Sequence, residues 1–203
     1  MILQYGAFLL GAYIIGSIPF AYIVVKAVKG IDIRTVGSGN AGATNVARVL
    51  GKWGFVSVLL LDMLKGFLPT FAAHYFFGET NMVLFVVAAA VLGHTFTVFL
   101  SFKGGKGVAT AAGAFFALVP VEMLIAVVVF LVVFTVTRMV SASSITAALA
   151  LFAGVLFMES WVLLKVFTGI IVAFVIYKHR ANISRILKGQ ENRFERKKPD
   201  SQS

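Results

Sequence analysis

Long apolar blocks, separated by short polar, basic or glycine-rich segments, dominate the chain. A helix that crosses a bilayer needs roughly 20 mostly apolar residues. Seven blocks are candidates: residues 2–25, 53–77, 82–100, 108–119, 121–137, 143–157 and 161–177. The fourth is too short to span untilted, so its N-terminal end is expected inside the headgroup layer. Pro120 predicts a sharp turn between the fourth and fifth helices, and Pro19 predicts a kink near the end of the first. No internal repeat or second domain is visible. The pattern predicts an all-α, polytopic membrane protein: a single seven-helix domain over residues 1–189 and a polar, disordered tail over 190–203.

The polar segments give the orientation. Lys26, Lys29, Arg34, Arg48 and Lys52 fall in the first loop, Lys103 and Lys106 in the third, Arg138 in the fifth and the remainder after the last helix. In a seven-helix arrangement all 18 Lys and Arg residues except Lys65 and Lys165 then lie on one side. The opposite loops hold Glu79, Glu122 and Glu159 and no Lys or Arg. Basic loops mark the cytosolic face, which predicts an N-terminus outside and a C-terminus in the cytosol. The first Lys follows the apolar run, so a cleavable signal peptide is not expected.

Composition agrees. A chain that is 60% hydrophobic and 13% charged has too little charge to surface a soluble domain of 203 residues. Its net charge of +10 would suit nucleic acid, but the basic residues are split between apolar blocks, so that partner is excluded. Cysteine is absent, which removes disulfides and thiol catalysis. Within the second block, Asp62 and Lys65 are three residues apart and can pair on one helix face. Intramembrane charge points to function, but the pair lies two turns from the basic loop, and a neutralised structural pair is the favoured reading.

Three polar clusters carry candidate chemistry. In the first loop, Gly37, Ser38, Gly39, Asn40, Gly42, Thr44, Asn45 and Arg48 follow one another closely. No strand precedes them, so the formal dinucleotide fingerprint is discounted. Glycines can turn backbone N–H groups toward one point, and a short helix starting near Ala43 would aim its positive end there. Arg48 adds a planar fork suited to phosphate. The second cluster is Lys103-Gly104-Gly105-Lys106-Gly107. It lacks the spacing of a P-loop, yet it remains a Gly/Lys nest opening into a helix. In the third, His179 and Asn182 share a face at the end of the last helix. His74 lies toward the other surface, and His94 reads as structural.

The clusters suit two phosphorylated partners at once. Too few carboxylates accompany them for a metal site, no histidine is followed five residues later by Asp, and no Ser-His-Asp arrangement is present. A transporter or flippase for a phosphorylated metabolite or lipid is the alternative, but it would place its sites near the midplane between repeated halves.

The runs GSGNAGATNVAR, FLSFKGGKGVAT and YKHRANISRILKGQENRF together resemble the three motifs of the PlsY family, bacterial glycerol-3-phosphate acyltransferases that use acyl phosphate. The similarity extends over essentially the whole chain, including the LDMLKG segment. It implies transfer of a fatty acyl group from acyl phosphate to the 1-hydroxyl of sn-glycerol 3-phosphate, giving 1-acyl-sn-glycerol 3-phosphate (lysophosphatidic acid) and phosphate, the first step of phospholipid synthesis. No cofactor is implied. The setting would be the bacterial cell (inner) membrane with a cytosolic active site, among membrane lipids. A peripheral PlsX-like enzyme that makes acyl phosphate is a candidate partner.

On this reading, backbone N–H groups of Gly104, Gly105 and Gly107, with Lys106, hold the acyl phosphate and the oxyanion. Ser38, Arg48, Lys103, His179 and Asn182 bind glycerol 3-phosphate. Thr44 and Asn45 shape the first loop, to which Gly37, Gly39 and Asn40 also contribute. Lys106, Ser38, Arg48, His179 and Asn182 are the expected catalytic set. Two groups can take the hydroxyl proton, His179 or the bound substrate phosphate. The phosphate is favoured because the clusters contain no carboxylate to orient a catalytic His.

Overall fold

The structure is a computed structural model that describes residues 2–78 and 80–194, and every described element is helical. Glu79 and the tail beyond Phe194 lie outside the described residues, as does the disorder expected of that tail. The helices are α1 (Ile2–Ser17), α2 (Phe20–Lys29), α3 (Ala43–Phe77), α4 (Asn81–Thr95), α5 (Val108–Leu118), α6 (Pro120–Thr137), α7 (Val140–Met158), α8 (Val162–Lys178) and α9 (Arg180–Leu187).

Pro19 separates α1 from α2 and Pro120 opens α6, as proline sterics require. The 35-residue α3 is two helical pieces, because Gly51 takes a left-handed φ of 70° and breaks the first piece from the span. Five stretches are long and apolar enough to cross a bilayer: Leu3–Lys29, Ala43–Phe77, Asn81–Leu100, Pro120–Thr137 and Val140–Met158. α8 turns by 59° into α9, and the pair makes a sixth if counted together. The 11 residues of α5 rise roughly 17 Å, about half of a bilayer core.

α5 compensates by packing. Gly66 of α3 faces the Thr110 carbonyl and Gly113 of α5 faces the Met63 carbonyl, so closely that a Cβ on either glycine would collide with backbone. Small residues of this kind let membrane helices approach without a hydrophobic drive between them. α4 is the central helix, with Val83, Val86, Val87, Ala90 and Val91 fully buried, whereas α6 leaves Val128, Leu131, Val132 and Val136 exposed for lipid. Gly16 and Gly93 give α1 and α4 the same intimate contact.

The polar connections gather at one end. Arg34 donates to the Leu100 carbonyl at 3.4 Å, Lys106 to Asn182, and Phe194 N–H to the Arg138 carbonyl at 2.9 Å. The first five residues assigned to the tail therefore differ from expectation. Gly189 at φ 68° reverses the chain after α9. This brings Phe194 edge-on to Phe134 at 5.9 Å and Glu191 against α7 and α9.

Candidate active site

The first loop is held by one side chain. Asn45, buried at the start of α3, accepts from Ser38 N–H at 2.9 Å and donates to the carbonyls of Ile33 at 3.0 Å and Val36 at 2.9 Å. Gly37, at φ 60°, leaves the room that the Asn45 amide occupies, and the stem of Arg48 runs beside it. Gly39 N–H is spent on the Val36 carbonyl at 3.1 Å and Gly42 N–H on the Asn40 carbonyl at 3.0 Å. Ser38 and Arg48 are exposed, and Thr44 is half-buried in the first turn of α3.

The second loop corrects an expectation. Gly104 N–H donates to the Thr95 carbonyl at 3.1 Å and Gly105 N–H to the His94 carbonyl at 3.2 Å. Both donors satisfy carbonyls at the C-terminal end of α4, which a helix leaves unpaired, and so cannot cradle an anion. The two glycines are there for closeness. A Cβ on Gly104 would strike the His94 carbonyl, and one on Gly105 would strike the His94 ring and come within 2.8 Å of the Ala41 carbonyl. Gly107, at φ 83°, caps the start of α5. Lys103 is exposed, and its side chain has no polar partner among the described residues.

Lys106 is the joint between clusters. Its ammonium donates to Asn182 Oδ1. The Asn182 amide is oriented from behind: its Nδ2 donates to Glu191 Oε1 at 2.7 Å, so its oxygen is left for Lys106. Glu191 also accepts from Ser141 and from Arg185, both at 2.7 Å. Burial raises the Glu191 carboxyl, but hydrogen bonds from Asn182, Ser141 and Arg185 outweigh it and hold the group below the usual range. A carboxylate thus does stand behind the third cluster, contrary to expectation. The clue in the chain is Gly189, whose turn returns residue 191 to a helix already carrying Asn182 and Arg185.

Burial pushes the Lys106 ammonium down to about 8; Glu191 opposes this, while Arg185, Arg48 and Lys178 add to it. The Arg48 charge thus acts on Lys106, an electrostatic link between the first cluster and the other two. Burial, then the Lys106 charge, lower His179 to about 4 against the Val175 carbonyl and Glu191. His179 Nδ1 lies 2.8 Å from that carbonyl, which assigns the proton to Nδ1 and makes Nε2 the basic nitrogen. A neutral, weakly basic imidazole results. Below the basic end, Leu60, Met63, Leu64, Phe67, Gly113 and Phe116 line an apolar cleft of about 310 Å³ between α3 and α5.

A family model described as glycerol-3-phosphate acyltransferase matches residues 6–189. A glycerol-3-phosphate acyltransferase of Aquifex aeolicus (strain VF5) is 49% identical over 185 residues, covering 90% of this chain and 95% of the relative. One of Endomicrobium trichonymphae is 48% identical over 181 residues, covering 89% and 91%. The fold matches crystal structures of PlsY (YgiH), an integral membrane glycerol 3-phosphate acyltransferase. Its glycerol 3-phosphate form gives a TM-score of 0.91 at 44% identity, over 95% of this chain and 96% of that one. Its lysophosphatidic acid form gives 0.89.

Proposed function

The chain belongs to the glycerol-3-phosphate acyltransferase family, and from that membership we propose the finer reading: it moves a fatty acyl group from acyl phosphate to the 1-hydroxyl of sn-glycerol 3-phosphate. The products are 1-acyl-sn-glycerol 3-phosphate and inorganic phosphate, at the start of bacterial phospholipid synthesis. The observation that carries this reading is the Lys106–Asn182 contact, with Arg48 and His179 at the same site. Two cations, Lys106 and Arg48, and two neutral polar side chains, Asn182 and His179, suit two phosphates held side by side.

An acyl phosphate is a mixed anhydride with a good leaving group, so the site has to supply anion binding, orientation and oxyanion stabilisation. Arg48 and Ser38 hold the phosphate of glycerol 3-phosphate, with Lys103 at the rim. Lys106 and the first turn of α5 hold the acyl phosphate; Gly104 and Gly105 place Lys106 rather than donate. The 1-hydroxyl oxygen attacks the acyl carbonyl carbon and the C–O bond to phosphate breaks. Its electron pair leaves with phosphate, and charge growing on the carbonyl oxygen meets the Lys106 ammonium. Substrate phosphate, whose second pKa is about 6, takes the hydroxyl proton. His179, pushed down to about 4, is the weaker base and is assigned to orient glycerol 3-phosphate. The acyl tail lies in the α3–α5 cleft, open to lipid.

We place the enzyme in the bacterial inner membrane, with seven passes that include short α5, the N-terminus outside and the basic end in the cytosol. That basic face would suit an acidic peripheral enzyme delivering acyl phosphate. Purified protein given acyl phosphate and glycerol 3-phosphate should release phosphate and lysophosphatidic acid in equal amounts, and only with both substrates present. Equal rates with acyl-CoA would overturn the donor assignment.

A further inference from the structure

A second polar cluster lies beneath the second loop, and the reaction above does not use it. Asp62 and Lys65 of α3 are only 2% and 3% exposed. Lys65 Nζ is 2.7 Å from Asp62 Oδ1, donates to the Ile18 carbonyl at 2.8 Å in the α1–α2 break, and lies 5.5 Å from the Phe20 ring centroid. His94 of α4 is also buried, with Nδ1 3.7 Å from Asp62 Oδ1, beyond direct hydrogen-bond reach. Between them is a cavity of about 10 Å³, walled by Asp62, Lys65, His94, Thr97, Gly104 and Gly105. That is room for one water; His94 Nδ1 is a buried atom lacking a hydrogen-bond partner, and Asp62 Oδ1 has none beyond its ion-pair contact with Lys65.

We propose that Asp62, Lys65 and His94, bridged by one buried water, form a positioning cluster that sets where the second loop presents Lys106. The path is short and physical. Asp62 and the water hold the His94 ring, and Gly105 rests on that ring so closely that no Cβ would fit. The backbone carbonyls of His94 and Thr95 take the N–H groups of Gly105 and Gly104, and Lys106 follows directly. Lys65 ties the same ion pair to the α1–α2 break, so α1, α3, α4 and the loop meet at one point. A buried ion pair gains little stability over an apolar pair of similar volume. Its role here is placement. The inference rests on the proposed part of Lys106 in turnover.

The test compares purified wild type with Asp62→Leu/Lys65→Met, His94→Gln and Lys106→Ala, reading kcat, KM for glycerol 3-phosphate, thermal unfolding and amide exchange at Gly104 and Gly105. The double variant leaves no unpaired buried charge and should keep its unfolding temperature. Its kcat should fall about 10- to 100-fold, the cost of a misplacement on the order of 1 Å, with KM little changed and the two amides exchanging faster. His94→Gln keeps the ion pair, should show the same kcat loss, and decides the matter if the double variant does not fold. A double variant with normal kcat, or one affected in KM alone, would overturn the proposal. If Lys106→Ala leaves kcat intact, the reading of Lys106 fails by itself; amide exchange in the double variant then decides this proposal, and unchanged protection rejects it.

Discussion

Two glycine-rich loops of similar composition stand at the basic end, and they use glycine for different reasons. The first is organised from ahead by a side chain: Asn45 reaches back from α3 to bind Ser38, Ile33 and Val36, and Gly37 takes φ 60° to wrap around it. The second is organised from behind by a backbone: the last carbonyls of α4 take the Gly104 and Gly105 N–H groups, and the glycines are bare because the His94 ring and carbonyl lie against them. A glycine–lysine run therefore does not by itself make an anion nest. What decides is where its N–H groups are already spent.

The widest separation between the loops should appear in kinetics. Lys106, carried by the second loop, is assigned to the acyl phosphate and the growing oxyanion. Lys106→Ala should lower kcat by about 100- to 1000-fold, the usual cost of removing such a donor. Arg48, which follows the first loop, is assigned to glycerol 3-phosphate, and a charge-assisted pair is worth roughly 1.5–3 kcal/mol, or about 10- to 150-fold. Arg48→Ala should mainly raise KM for glycerol 3-phosphate. If instead Lys106→Ala changes only that KM, the two phosphate sites are interchanged.

A smaller effect tests the two uses of glycine directly. Gly105→Ala and Gly37→Ala should each destabilise, because each new Cβ meets a neighbour. His94→Ala should partly rescue Gly105→Ala, since removing the ring opens the space. Asn45→Ala should not rescue Gly37→Ala, because the left-handed φ still costs a non-glycine residue about 1–3 kcal/mol and the loop loses its three hydrogen bonds. Double-mutant cycles of thermal stability measure this coupling. Equal rescue in both loops would erase the distinction.

Much of this was legible in the chain. The apolar blocks marked the helices because a bilayer forces whole segments to be apolar, and Pro19 and Pro120 marked the breaks by sterics alone. The three clusters were visible because basic and polar residues, set among glycines in the first two, stand out between such blocks. Glu191 was not, since its contact depends on the reversal at Gly189 rather than on any periodicity. His94 read as structural for a related reason. Residues 62 and 94 come from different helices, and no spacing reveals that Asp62 and the second loop press on the same ring. The donors of Gly104 and Gly105 were misjudged because a sequence does not show which carbonyls lie behind a loop.

The smallest effect is also specific in sign. Burial holds Lys106 down to about 8 in the folded protein, below its ordinary value of 10.5. Only the ammonium can meet an anion, so kcat/KM, which reports the free enzyme, should fall as pH rises through about 8, by up to about tenfold per unit. Arg48→Lys preserves the formal positive charge that acts on Lys106, so it should leave the position of that limb near where it is. Stability moves the other way. A lysine whose folded pKa is depressed binds fewer protons folded than unfolded between about 8 and 10.5, so this residue's contribution to stability rises with pH across that window. Lys106→Met should accordingly unfold at a higher temperature than wild type near neutral pH, and the advantage should shrink above pH 8. Bound phosphate would favour the ammonium, so the limb in kcat should lie at higher pH than the limb in kcat/KM. Coincident limbs, or a variant whose advantage grows with pH, would mean that the charge on Lys106 is not what the second loop is built to present.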